Sequence, residues 1–371
     1  MQVVNYISNI SPEEASGGWS GMNYHVQKQL AKRVSLNSVL PVNPAFSMFE
    51  KVVSKIRRTI GKTGSFPAFT SSRLQQIADT VAKRTDPRAT FNFFHGATPW
   101  INFASPVPYA LYLDACFATY IDVYHDRRLF DQRQLDEICK KEISFLERAQ
   151  SVFFSSAWAM ADAKRRYGIS GENFIIAGLG GFLDNDSNDV VTDRQAYFLF
   201  VGLDFAGKGG DKLVNAFKKI QVQYPEYKLK IAGQRPGPAY LDNPGVEYAG
   251  YFNKGNPAEF EQLTKLFKGA SAFVLPTSRD MTPLVIIEAG SVGCPVISIK
   301  NFGIPEMVKD GETGILIDPA ADIEAELEKA MLLLVKDKDL RRKMSEASRL
   351  FTAAHFNWDR TGGIIFDAIN K

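Results

Sequence analysis

Short runs of apolar, β-branched and aromatic residues recur along the chain, most followed by a longer stretch whose apolar positions return with a helical period. The short runs read as strands at Val3–Ile7, Ser35–Pro41, Phe91–His95, Tyr109–Leu113, Ser151–Ser155 and Phe174–Ala177. A second series follows at Tyr197–Val201, Lys228–Ala232, Val246–Ala249, Ala272–Leu275, Pro295–Ile299 and Gly314–Ile317. Helices are predicted over Met22–Arg33, Arg133–Arg148, Asp211–Gln223, Ala258–Phe267 and Pro283–Val292. Nearly continuous hydrophobic strands separated by helices indicate parallel sheets covered on both faces. A polar stretch, Asp184–Arg194, interrupts the cadence and reads as a linker. The pattern therefore predicts an α/β chain of two Rossmann-like, doubly wound domains, 1–185 and 195–355, with a last helix in 356–371 that packs back onto the first.

Composition narrows the class without naming it. The 371 residues exceed what one ordinary core holds, in keeping with two domains. Hydrophobic residues at 45% and charged residues at 23% fit a globular protein, and a net charge of +3 is too small to argue for nucleic acid. The three cysteines, Cys116, Cys139 and Cys294, show neither metal-ligand spacing nor a disulfide framework, which suits a reducing compartment. No run approaches the roughly 20 apolar residues that span a bilayer, and MQVVNYISNI lacks the layout of a secretory leader, so a cytoplasmic location is expected.

The sharper chemistry lies in the second half. In PTSRDMTPLVIIEAGSVGCPVISIK, Thr282 and Pro283 offer a helix N-cap followed by proline at the first helical position. The helix is apolar all round except at Glu288, and a carboxylate buried there needs a partner, such as a ligand hydroxyl. The helix start itself presents N–H groups that suit an anion. Asp280 sits in the loop at a strand's carboxyl end, where open parallel sheets bind ligands. The alternative is a solvated Asp280 and a Glu288 satisfied within the core. In FLFVGLDFAGKGGDKLVNAF a glycine-rich turn carries Lys208, suited to a phosphate but equally an ordinary strand–helix connection.

Taken in order, VG-x5-KG, AG, D-x7-E, GxPVI and PEMVKDGETGILI resemble the donor domain of family-4 glycosyltransferases of GT-B architecture. The resemblance implies two domains facing a cleft, and a nucleotide-sugar donor used with retention. It places Asp280 on the donor sugar, Glu288 on the ribose and Lys208 on the diphosphate, with Thr282, Pro283, Leu284 and Gly202 lining the donor site. Glu306 matches a recurrent family glutamate, and Tyr251 falls where the base lodges or serves as a core aromatic. The family commonly has arginine after the first loop glycine; here it is Leu203, and Arg235 is the candidate replacement from a neighbouring loop.

In the first half, ASGGWSGMNYHVQKQL resembles the family's amino-terminal glycine loop, with Gly17 and Gly18 bordering acceptor and phosphate. Asp114 follows an apolar strand where the family often has His or Asp, and it joins Lys208 and Asp280 as a candidate catalytic residue. His95 ends its strand either toward the cleft or as a hydrogen-bonded structural histidine. The segment MFEKVVSKIRRTIGK, 48–62, mixes apolar and basic positions, which reads either as a solvated helix or as a contact with anionic lipid and a lipid-linked acceptor at the inner membrane face. Expected partners are a nucleotide-diphosphate-sugar and a saccharide or lipid-linked acceptor, as in polysaccharide biosynthesis, with no metal, cofactor or nucleic acid. The rival readings are a sugar-nucleotide epimerase of the same architecture and a degenerate subunit that binds donor without turnover.

Overall fold

The structure is a computed structural model that describes residues 2–11, 18–39, 41–45, 48–59, 63–181 and 194–371. The chain divides into two compact units, one containing Trp19–Leu179, the first strand and Trp358–Lys371, the other the described residues of Gly180–Asn357. Each is an open parallel sheet wound with helices on both faces.

In the first unit the strands are β1 (Val3–Ile7), β2 (Ser35–Val39), β3 (Phe91–His95), β4 (Tyr109–Leu113), β5 (Ser151–Phe154) and β6 (Phe174–Ile176). Their sheet order is β2-β1-β3-β4-β5-β6, parallel throughout. The helices are α1 (Gly18–Ala31), α2 (Met48–Thr59), α3 (Ser71–Arg84), α4 (Phe117–Tyr124), α5 (Gln132–Arg148) and α6 (Ala157–Tyr167). β3 and β4 are buried at every position, as strands sandwiched between helix layers must be. The start of α5 is fixed by Asp131, whose side chain accepts from the N–H groups of Arg133 and Gln134. On its inner face Glu142 sits among apolar residues, satisfied by Thr98 Oγ1 at 2.6 Å, the Phe117 N–H at 2.8 Å and the Tyr167 hydroxyl. Burial nevertheless pushes its carboxyl above the usual range.

The second unit holds β7 (Tyr197–Gly202), β8 (Lys228–Gly233), β9 (Val246–Gly250), β10 (Ala272–Leu275), β11 (Val296–Ile299) and β12 (Gly314–Ile317). The order is β12-β11-β10-β7-β8-β9, so the chain winds outward from β7 in one direction and resumes at β10 in the other. The helices are α7 (Gly210–Gln223), α8 (Pro238–Leu241), α9 (Pro257–Gly269), α10 (Leu284–Ser291), α11 (Ile304–Met307), α12 (Ile323–Lys336) and α13 (Lys338–His355).

The last helix, α14 (Trp358–Ile369), belongs to the first unit. Its Trp358 stacks on His25 with centroids 5.0 Å apart, and Asp359 pairs with Arg33 at 3.1 Å.

The predicted linker lies outside the described residues except for Arg194, which does not behave as part of a linker. Its guanidinium donates to the carbonyls of Phe267, Lys268, Ala270, Val292 and Gly293 and to Ser345 Oγ. One side chain thus closes the carboxyl-terminal ends of α9 and α10 against α13. No described helix is long and apolar enough to cross a membrane.

Candidate functional site in the second unit

An open parallel sheet has a crevice at its carboxyl edge where neighbouring strands lead their chains in opposite directions. In the second unit that point falls between β7 and β10, and the two loops that leave it carry Lys208 and Asp280. They meet: Lys208 Nζ lies 2.7 Å from Asp280 Oδ2, each side chain about a quarter exposed (24% and 22%).

Backbone geometry permits the meeting. The loop after β7 is wound by Asp204, whose carbonyl accepts from the Lys208 N–H at 3.0 Å and whose carboxylate accepts from Gly207 N–H at 2.9 Å. Gly209 caps α7 with φ +74°, and a Cβ there would stand 2.3 Å from the Pro276 carbonyl, so the turn presses directly on the end of β10. A Cβ at Gly202 would meet the Lys208 stem at 2.9 Å, so the absence of a side chain makes room for the lysine. Leu203 points outward, 59% exposed.

The helix after β10 departs from expectation. α10 begins at Leu284, with Pro283 at the N-cap and no side-chain cap, so Thr282 stands one residue outside the helix. Proline's φ suits the N-cap here, and its missing N–H takes nothing from the helix. The Ile286 N–H reaches the Pro283 carbonyl at 3.0 Å, while those of Leu284 and Val285 open the helix with no partner of their own in its ladder. Thr282 Oγ1 is buried without a hydrogen-bond partner among the described residues.

Glu288 is fully buried on α10, but it is not unpaired. Lys254, from the loop between β9 and α9, donates its ammonium to Glu288 Oε1. A lysine in a polar loop far upstream supplies a partner from within the protein, the alternative that the sequence left open beside a ligand hydroxyl. Only Oε2 lacks a partner among the described residues.

Other predicted residues surround this point at varying distance. Arg235, after β8, is exposed and holds its guanidinium 5.1 Å from the centre of the Tyr248 ring. Tyr251, just past β9, is 53% exposed, which excludes a core role. Glu306 lies on the short α11, and the Gly303 N–H before that helix donates to the Met281 carbonyl at 3.0 Å, lacing this loop to the one bearing Asp280.

In the first unit, His95 and Asp114 lie at the carboxyl ends of strands, His95 as the last residue of β3 and Asp114 just past β4. His95 is 1% exposed and stacks under Trp19 at 3.8 Å between centroids. Neither of its ring nitrogens has a hydrogen-bond partner among the described residues. Burial lowers its pKa to about 3, opposed by the Trp19 backbone beside it. Asp114 is partly buried, and its charge helps burial to raise the Tyr112 hydroxyl. Gly18 opens α1, and Gly17 lies outside the described residues. Among the described residues no group of three or more His, Cys, Asp or Glu could hold a metal ion.

The two sheets and their flanking helices define a pair of Rossmann-like domains. Residues 184–351 match the family of glycosyl transferases group 1, a match confined to the half that carries the Lys208–Asp280 site. The chain is similar to a D-inositol 3-phosphate glycosyltransferase of Corynebacterium aurimucosum, 26% identical over 245 residues, covering 60% of this chain and 56% of the relative. The match thus spans little more than half that relative's length. Among solved structures, sucrose-phosphate synthase from Thermosynechococcus elongatus superposes with a TM-score of 0.70 at 16% identity, covering 100% of this chain and 98% of that one. Anabaena HepE in complex with UDP gives 0.69 at 16% identity, with 100% of both chains covered. These structural likenesses concern the fold.

Proposed function

We propose that the protein transfers a sugar from a nucleotide-diphosphate donor to a hydroxyl of a saccharide or lipid-linked acceptor, with retention at the anomeric carbon. The observation that carries this reading is the Lys208–Asp280 pair at the switch point, beside a helix start with open N–H groups. The group 1 family match over the same half, and the UDP held by HepE, support it.

In this reading Lys208 and the N–H groups of Leu284 and Val285 meet the charge that grows on the departing diphosphate. Asp280 contacts the donor sugar and Glu288 the ribose, with Gly202, Thr282, Pro283, Arg235, Tyr251 and Glu306 around the nucleotide. Asp114, His95 and the Gly17–Gly18 loop serve the acceptor. As the anomeric C–O bond to diphosphate breaks, the acceptor oxygen bonds to the same carbon and its proton passes to the departing phosphate oxygen. No separate general base, metal or cofactor enters the scheme.

The finer partners belong to the same proposal. α2 leaves Met48, Val52, Val53 and Ile56 exposed at 71%, 50%, 36% and 56%, in a segment whose sequence also carries Lys51, Lys55, Arg57 and Arg58. Such a helix suits the anionic face of a membrane holding a lipid-linked acceptor in the cytoplasm.

Thermal shift against a panel of nucleotide-sugars tests the reading, because a ligand of the folded state raises the melting temperature by mass action. One stabilising donor, lost in Glu288→Ala, is the expected result. No stabilisation by any donor would refute it. The exposed Leu203 in place of a loop arginine favours one rival, a binding subunit without turnover. Donor hydrolysis by the purified protein distinguishes the two.

A further inference from the structure

The pairing of Lys254 with Glu288 bears on how a nucleotide would be read. Both side chains are nearly or wholly withdrawn from water, 9% exposed for Lys254 and 0% for Glu288. Lys254 occupies Oε1, and Oε2 is buried with no hydrogen-bond partner among the described residues. An unsatisfied buried acceptor is an unfavourable arrangement that a hydroxyl donor relieves.

The lysine is also held in place. In its loop the Asn253 N–H donates to Glu259 Oε2 at 2.7 Å, and Asn253 Oδ1 accepts from the Gly255 N–H at 2.9 Å. Asn256 then caps α9 through the Ala258 N–H at 3.1 Å. The residues on either side of Lys254 are therefore tied down. In the sheet, β9 and β10 are separated by β7 and β8, so the pair links loops from strands roughly 14 Å apart along the carboxyl edge.

We infer that Lys254 is a positioning residue that engages one oxygen of Glu288, so that a nucleotide ribose is gripped through a single hydroxyl and not both. The inference rests on the nucleotide-diphosphate reading given above. A carboxylate with both oxygens unengaged can meet both vicinal hydroxyls alike; with Oε1 already charge-paired to an ammonium, Oε2 is the oxygen left without any donor, so the hydroxyl that reaches it relieves the buried unsatisfied acceptor and gains the more. A purely structural ion pair would have no effect on ribose selectivity.

The test is calorimetric titration of the purified protein with UDP, GDP and ADP, followed by the 2′-deoxy and 3′-deoxy forms of whichever binds. One deoxy form should bind about tenfold or more weakly, the worth of a hydrogen bond to a charged acceptor, and the other within about threefold of the parent. In Lys254→Met, Oε1 is released and both deoxy forms should be discriminated; Lys254→Arg should keep the single-hydroxyl pattern. Because Lys254→Met alone strands a buried carboxylate, the double variant Lys254→Met/Glu288→Gln, which removes both charges, is measured beside it. There the tenfold discrimination should disappear.

Equal weakening of both deoxy forms in the native protein, or of neither, overturns the inference while nucleotide binding stands. So does discrimination that survives in the double variant, or a folded Lys254→Met that keeps the native pattern. Failure of all three nucleotides to bind removes the nucleotide reading itself, and the inference with it.

Discussion

All four tryptophans, Trp19, Trp100, Trp158 and Trp358, lie in the first unit, so indole fluorescence follows the unfolding of that unit. This permits a direct test of the buried His95. Its ring, 1% exposed, lies nearly parallel to those of Trp19 and Tyr112, and its nitrogens have no hydrogen-bond partner among the described residues. Desolvation lowers its pKa to about 3, against about 6.5 for an unfolded histidine. With the folded value depressed, the unfolded chain binds the extra proton between those two pH values. The contribution to stability is therefore complete above pH ~6.5 and is lost as pH falls toward ~3. One proton taken up only on unfolding is worth about 1.4 kcal/mol per pH unit, so about 2 kcal/mol disappears between pH ~7 and ~5. His95→Phe keeps the stacking ring and removes the titration. Urea melts followed by fluorescence should show the native protein losing about 2 kcal/mol more than the variant over that interval. Glu142, raised by burial in the same unit, is common to both proteins and cancels in the difference. Parallel losses would refute the reasoning, because they would mean that the folded unit protonates His95 as readily as water does.

The remaining predictions concern the second unit and α2. Lys208→Ala should lower donor turnover by about 100- to 1000-fold with a smaller change in donor affinity, measured as kcat against KM; the reverse pattern would place the lysine on the ground state. Gly209→Ala forces a Cβ into a left-handed turn and against the Pro276 carbonyl, so thermal melts by circular dichroism should show a loss above about 1–2 kcal/mol, and an unchanged melt would contradict the tight approach of this turn to β10. Arg194→Met strands five carbonyls and a hydroxyl and should destabilise the second unit by about 3 kcal/mol or more in the same assay, whereas a neutral result would show that water replaces the guanidinium. Val52→Asp combined with Ile56→Asp should weaken sedimentation with anionic vesicles about tenfold; equal binding would exclude α2 as the contact.

The central strands were legible because they are buried on both faces and read as hydrophobic runs, and β3, β4 and β10 have the predicted bounds; the edge strands β2 and β9 are partly exposed and mix in polar residues. Helices were less legible. α3, α4 and α6 were not predicted: α4 is short and largely apolar, and α6, begun by Ser156 and closed by a left-handed Gly168, carries a buried Asp162 among its apolar positions. The N-cap of α10 shifted by one residue because proline satisfies that position as well as the first helical one, and the spacing of Thr282 and Pro283 alone does not separate the two.

The candidate site divides along the same physical line. Lys208 and Asp280 each stand in a loop at the end of a strand, and alternation of strand and helix was enough to put both on one edge. Their contact at 2.7 Å then follows from the reversal of winding between β7 and β10. The partner of Glu288 depends instead on where the loop past the outermost strand, β9, returns across the sheet. FNKGN has no periodicity, and its lysine resembles any solvated loop lysine. Charge balance did signal that a partner was needed, since a carboxylate enclosed by Leu284, Val285, Ile286 and Ile287 cannot stand alone. What the linear pattern lacked was the source of the compensating charge, which tertiary topology supplies. In the inference drawn above, Glu288 meets the ribose through Oε2, and the identity of the hydroxyl it accepts becomes a property of Lys254 as much as of Glu288.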